Sequence, residues 1–299
     1  MTRFIKPALT IDGQLQLLKD RGLTVADDER AKRYLRNIGY YRLAGYCLQL
    51  RLPGPNHTFI PGKSFDDILN LYIFDRKLRL LTIDALERIE IAVRTTIINE
   101  CSQEYDSHWY MYPDLFKNLN EHANFIKCVK KLTFFDKRGR GSAVFEHYYT
   151  KYVYPPLPTA WMIADVVPLG SWSKVYSNLA DASVKKNISQ NFNLSYHDLA
   201  SWLHALSYIR NACAHHSKIW DRVFTIKPAQ VKRLKSHLTP NTTYYAYAAM
   251  IQDLLSSFTC HSTWSNRLYK LLQKSPLNPI TYMGFNPHWD KDPFWKIVP

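Results

Sequence analysis

Between Ser64 and Cys101 the apolar residues Ile68, Leu71, Phe74, Leu78, Leu81, Ala85, Ile89 and Ala92 recur in alternating steps of three and four. A period near 3.6 sustained over that distance predicts one long amphipathic helix. No other stretch constrains the fold as strongly. Ser64 and Asp67, three apart, resemble a capping box, with Asp a shorter arm than the usual Glu. The polar face of this helix carries Arg76, Lys77, Arg79, Glu87, Arg88, Glu90 and Arg94. Glu90 and Arg94, four apart, are expected to form an ion pair on the helix surface. The alternative turns Glu87 or Arg94 inward, where either would orient functional groups on a second helix.

Shorter helices flank it. Thr10 is a cap for a helix through Leu15, Leu17 and Leu18 that stops at Gly22. A second begins after Thr24, carries Ala31, Tyr34, Leu35 and Ile38, and stops at Gly39. The following YYRLAGY reads as an aromatic corner of the core with polar tips, its rival reading being a stacking surface. Residues 51–64 are a Pro/Gly connection with a brief strand at Phe59 and Ile60. A helix is expected through Phe125, Val129, Leu132 and Phe135, and then an exposed basic loop, DKRGRGS, in which Lys137, Arg138 and Arg140 are candidate phosphate contacts. Trp161–Val167 and Ser171–Leu179 read as two helical pieces interrupted at Pro168 and Gly170. Ser195, with Asp198 three residues on, is a cap for a helix through Leu199, Trp202, Leu203 and Leu206. From Pro276 the chain is aromatic and proline-rich, a strap expected to pack back on the body. The expected division is an N-terminal helical region at 1–63, a helical core at 64–275 and the strap at 276–299.

The Ser195 helix runs into SYIRNACAHHSKIWD, residues 207–221. Tyr208, Ile209, Ala212, Cys213, Ile219 and Trp220 supply its apolar positions, and Arg210, Asn211, His215 and His216 its chemistry. Asn211 and His215 share a helical face, and Arg210 reaches round on its long stem. A guanidinium that forks onto a phosphate, beside an imidazole that titrates near neutrality, suits phosphodiester chemistry. One imidazole would activate a ribose 2′-hydroxyl, Arg210 would neutralise the phosphorane, and a second imidazole would protonate the leaving oxygen. One helix offers few groups for all three tasks. Metal binding by His215 and His216 is disfavoured, because adjacent helical residues diverge by roughly 100°. The formal charge of +14 favours polyanionic partners, nucleic acid above all. The five cysteines form no C-x-x-C pair, which argues against a zinc knuckle or a disulfide framework. With no apolar signal core in MTRFIKPALT and no run of about 20 apolar residues, the reading is a cytoplasmic protein without a membrane segment. P-loop, G-x-S-x-G and H-E-x-x-H patterns are absent from the sequence.

RNACAHH resembles the R-x(4–6)-H signature of the HEPN ribonuclease superfamily. IGYYRLAGY at 38–46, LYIFDRKLRLLTIDALERIEIAVR at 71–94, PLGSWSKVY at 168–176 and MGFNPHW at 283–289 are similar to the bacterial Abi family of abortive-infection proteins, the AbiD/AbiF-like group. The resemblance covers nearly the whole chain. It implies an all-α fold: a HEPN-like helical bundle with an N-terminal helical extension and the C-terminal strap. It implies metal-independent RNA cleavage without a cofactor, a composite site made by two motifs, and a toxin-like role in phage defence. It also implies kinship with the nuclease modules of type VI CRISPR effectors, and a small structured RNA as a further partner. Arg210 and His215 match the motif's arginine and histidine, and Asn211 its polar residue. His216 also satisfies the spacing; His215 is preferred for the face it shares with Asn211. With a single such motif per chain, the composite site implies a homodimer. The rival function is a non-catalytic RNA-binding module.

Overall fold

The computed structural model describes residues 7–134 and 142–297. It is all-α: twelve α-helices and several one-turn 3-10 segments, with no strand among the described residues. Phe59 makes only an isolated bridge to Arg51 in place of the expected brief strand. Pro53, Pro55 and Pro61 remove the backbone donors that a longer ladder would use. The chain forms two compact units, residues 1–79 with 270–279, and residues 80–269 with 280–299.

In the first unit, α1 (Ile11–Asp20) starts where Thr10 Oγ1 accepts from the Gly13 N–H at 3.1 Å. It closes at Gly22, whose φ of 87° lets the Gly22 and Leu23 amides reach back to the carbonyls of Lys19 and Leu18. α2 (Asp28–Ile38) begins a little later than the sequence predicts, because the cap is Asp27, which accepts from the Arg30 N–H at 2.9 Å. α3 (Tyr40–Ala44) follows Gly39. α4 (Phe65–Glu104) opens on the expected capping box: Asp67 accepts from the Ser64 N–H at 2.8 Å, and Ser64 Oγ from the Asp67 N–H at 3.3 Å. The first part of α4 buries Ile68, Leu71, Phe74 and Leu78. Within that apolar surround Tyr46 donates to Asp75 Oδ2 at 2.6 Å and Arg79 is ion-paired to the same carboxylate. All three are buried, so acid, cation and hydroxyl satisfy one another where none is affordable alone. Tyr46 thus belongs to the core, while Tyr41 is fully exposed.

The second unit contains the rest of α4, then α5 (Leu119–Thr133), α6 (Glu146–Lys151), α7 (Leu169–Asn178), α8 (Ala182–Gln190), α9 (Tyr196–Ala214) and α10 (Tyr244–Phe258); α11 (Trp264–Leu272) and α12 (Pro279–Met283) follow. α10 is buried around almost its whole circumference, as its largely apolar sequence requires. Its Tyr244 hydroxyl lies 2.8 Å from Thr82 Oγ1 of α4, and Trp264 Nε1 donates to the Leu81 carbonyl at 2.9 Å. α7 packs along α9: a Cβ on Gly170 would stand 4.0 Å from Ser207 Cβ, so this glycine sits in the first turn of the helix against its neighbour rather than breaking it. Trp161–Val167, expected as a helix, is a series of turns. Val166 and Val167 are β-branched, and Pro168 disfavours helical geometry in the residue before it. α5 ends at Thr133; Phe135 and the basic positions Lys137, Arg138 and Arg140 lie outside the described residues. The strap packs on this unit, with Phe285 and Trp295 buried against Tyr245 at ring separations of 5.1 and 5.6 Å. No helix among the described residues is long and apolar enough to cross a membrane.

Candidate active site

α9 is pinned at both ends. Ser195 Oγ accepts from the Asp198 N–H at 3.1 Å and donates to the Asp198 carboxylate at 2.6 Å, the cap expected from the sequence. Leu199, Trp202, Leu203, Leu206, Ile209 and Cys213 then face the core. That burial fixes which residues turn outward at the far end: Arg210 is partly exposed, and Asn211, His215 and His216 are exposed.

The helix ends at Ala214, so the two histidines are its cap rather than part of its last turn. His215 is the C-cap residue, its N–H bonded to the Asn211 carbonyl at 2.9 Å. His216 has a left-handed φ of 58°; its N–H donates to the Cys213 carbonyl at 3.0 Å, and the Ser217 N–H to Ala212 at 2.8 Å. This pair of backward bonds is the same termination that closes α1, where the left-handed residue is Gly22. A histidine in that conformation costs about 1 kcal/mol relative to glycine. The fold therefore accepts backbone strain at this cap, where an imidazole stands in place of the customary glycine.

Beneath Arg210 lies an anion supplied by α4. Glu90 Oε2 is 3.7 Å from Arg210 Nε, while its other oxygen is bound by Arg94 Nη2. The expected pair of Glu90 and Arg94 forms, but it is buried rather than on the surface, with side chains only 9% and 11% exposed. Glu87, considered for this role, points to solvent. Glu90 was legible all the same: it stands four residues after Leu86, three before Val93 and seven before Ile97, all buried, and so lies on the apolar stripe. Burial pushes the Arg94 guanidinium below its ordinary value; Glu90 and Asp165 oppose that shift and Arg210 adds to it. Arg94 nonetheless remains a cation at neutral pH. At 3.7 Å the Arg210–Glu90 contact is an ion pair rather than a hydrogen bond. Arg210 thus keeps its donor fork for a ligand.

A second guanidinium, not singled out in the sequence, braces the segment after the motif. Arg222 donates to the Tyr208 hydroxyl at 2.8 Å and to the Lys218 carbonyl at 3.2 Å. Partial burial pushes the Tyr208 phenol up, but the Thr225 hydrogen bond and Arg222 outweigh it and hold it below its usual value. Trp220 is buried and meets Tyr282 of α12 at 5.4 Å. Among the described residues no group of three or more His, Cys, Asp or Glu side chains is arranged to hold a metal ion.

No curated protein and no solved structure matches the chain. A family model described as Abi-like protein matches residues 33–221, from within α2 to the last residue of the motif segment. The match includes Glu90, Arg94 and all of α9 with its histidine cap. Because it covers well over half of the sequence, the chain belongs to the Abi-like protein family.

Proposed function

We propose that this protein is a metal-independent endoribonuclease of the HEPN type, a toxin-like abortive-infection effector in phage defence. The observation that carries the reading is a partly exposed Arg210 backed by a buried carboxylate, one turn from two exposed histidines at a helix end. Fixed counter-ions aim the guanidinium before substrate arrives, so no reorganisation is needed when charge develops on a phosphorane. One imidazole removes the proton of a ribose 2′-hydroxyl, which attacks the adjacent phosphorus. The bond to the 5′-oxygen breaks, and a second imidazole protonates that leaving oxygen. The products are a 2′,3′-cyclic phosphate and a free 5′-hydroxyl. Each proton transfer contributes about 100- to 10,000-fold. Asn211, exposed beside Arg210, is assigned to the substrate phosphate. Membership of the Abi-like family supports the defence role.

His215 and His216 straddle the point where the backbone changes from right- to left-handed. One chain therefore supplies one arginine and two diverging imidazoles, and a homodimer that juxtaposes two α9 ends supplies the full set. Cleavage per milligram should then rise with protein concentration in parallel with the dimer fraction measured by sedimentation. Incubating the protein with labelled total RNA, beside His215→Ala and Arg210→Ala, tests the assignment: fragments from the parent and intact RNA from both variants support it. Intact RNA in every lane together with tight filter retention would instead identify a non-catalytic module that holds a cognate RNA.

A further inference from the structure

Away from α9, the second unit has a cleft of about 470 Å³ lined by His108, His147, Tyr152, Tyr154, Thr159 and Trp161 among others. Its aromatic rings are unusually open. Tyr154 is 83% exposed, Trp161 56% and Tyr152 44%, although a chain of this size has ample core in which to bury them. Hydrogen bonds tie down the backbone beside them. The Tyr148 hydroxyl meets the carbonyls of Pro155 and Leu157 at 2.8 and 2.7 Å, and His108 Nε2 approaches the same hydroxyl at 3.3 Å. His108 Nδ1 is held in turn by Ser107 Oγ at 2.9 Å. A cation borders the rings: Lys151 Nζ stands 5.3 Å from the centre of the Tyr152 ring. Thr159 also lines the cleft, with its Oγ1 buried beneath the surface.

The cleft is joined to the α9 site by a short segment. Thr159 and Trp161 form its wall, and a few residues on, Asp165 acts electrostatically on Arg94, the partner of Glu90. We infer that this cleft is a substrate subsite that stacks unpaired bases of single-stranded RNA on Trp161 and Tyr154. The inference rests on the RNA-directed reading of the α9 site and adds the form of RNA it takes. Open rings beside a lysine match a polyanion with exposed base faces, and every base has such a face. A paired helix hides those faces, so the cleft selects loops and unstructured strands. The formal charge of +14 supplies the attraction to the backbone that stacking alone lacks.

The test uses the full chain carrying His215→Ala, so that the probe is not consumed, and a fluorescein-labelled 12-nucleotide oligouridylate beside an RNA duplex of equal length. Trp161→Ala and Tyr154→Ala should each weaken single-strand binding by about fivefold or more, the loss expected when one stacking ring is removed. Trp161→Phe, which keeps a ring, should stay within about twofold of the parent, and duplex binding should not change. Both residues are exposed, and thermal melting checks that the fold is intact. Equal affinity of the parent and both alanine variants for the oligouridylate overturns the inference, as does failure of the parent to bind it; either result leaves the surface to another class of partner. Cleavage of the same oligonucleotide by the wild-type chain is scored separately. Cleavage with unaltered binding in the variants retains the nuclease and removes the subsite; lost binding without any cleavage retains the subsite and removes the nuclease.

Discussion

Glu90 Oε2 on α4 lies 3.7 Å from Arg210 Nε on α9, so the arginine proposed to meet a phosphate is aimed by a carboxylate that is itself buried and held by Arg94. The contact is ionic, and its strength depends on the exclusion of water around Glu90. This gives the pair two separable roles. Glu90→Gln should lower stability by about 3 kcal/mol, since it leaves Arg94 buried without its counter-charge. It should also lower kcat for RNA cleavage by about tenfold or more while RNA affinity changes little, since the arginine loses its orientation and keeps its charge. Urea denaturation and single-turnover kinetics on the same preparation separate the two effects.

His216→Gly should raise stability by about 1 kcal/mol, because glycine adopts the left-handed conformation without strain. The same variant should lose cleavage. A gain in urea midpoint with a loss of activity would show that the imidazole, rather than the helix cap, is what this position maintains.

The strap should loosen in acid. Burial lowers the pKa of His237 despite Asp292, whose carboxylate is 3.6 Å away; desolvation wins over the ion pair. The ring accepts or donates at Tyr245 OH, 2.9 Å away, and stacks on Phe294 at 4.4 Å. With the folded value below the unfolded one, the unfolded chain binds more protons as pH falls through about 6.5. Stability contributed by neutral His237 is complete above that pH and declines below it. Limited proteolysis should cut the 285–295 segment faster at pH 5 than at pH 7.5, and His237→Gln should flatten that dependence.

Gly284→Ala should destabilise the second unit by about 2 to 4 kcal/mol. Its φ of 76° is left-handed, and a Cβ there would stand 2.7 Å from the side chain of Thr243, the residue that caps α10. Differential scanning calorimetry of the variant measures this directly.

The helices whose signals are local were legible in the sequence. Thr10, Ser64 and Ser195 cap where their spacing indicates, and the α4 stripe buries its apolar residues as the period requires. α10 gives no such stripe, because it is buried on nearly all sides and its first eight residues, Tyr244–Ile251, are all apolar or aromatic. The turns at 161–167 were hidden for the opposite reason: the sequence is apolar enough for a helix, but Pro168 and two adjacent valines set the backbone. At the candidate site the four motif residues stand out by composition. Their arrangement does not, since the end of α9 at Ala214 depends on a left-handed residue where the sequence offers no glycine. Glu90 was classed with the surface because charge is a stronger local signal than its place on the apolar stripe.

The central claim is that Arg210 and the cap histidines cleave RNA by themselves, without a metal ion. The direct measurement is to incubate purified wild-type chain with a 5′-labelled single-stranded RNA in excess EDTA and to analyse the new ends. The account predicts fragments ending in a 2′,3′-cyclic phosphate, formed equally with and without the chelator and absent with Arg210→Ala. Cleavage that requires a divalent ion, or that persists unchanged in Arg210→Ala, would contradict it.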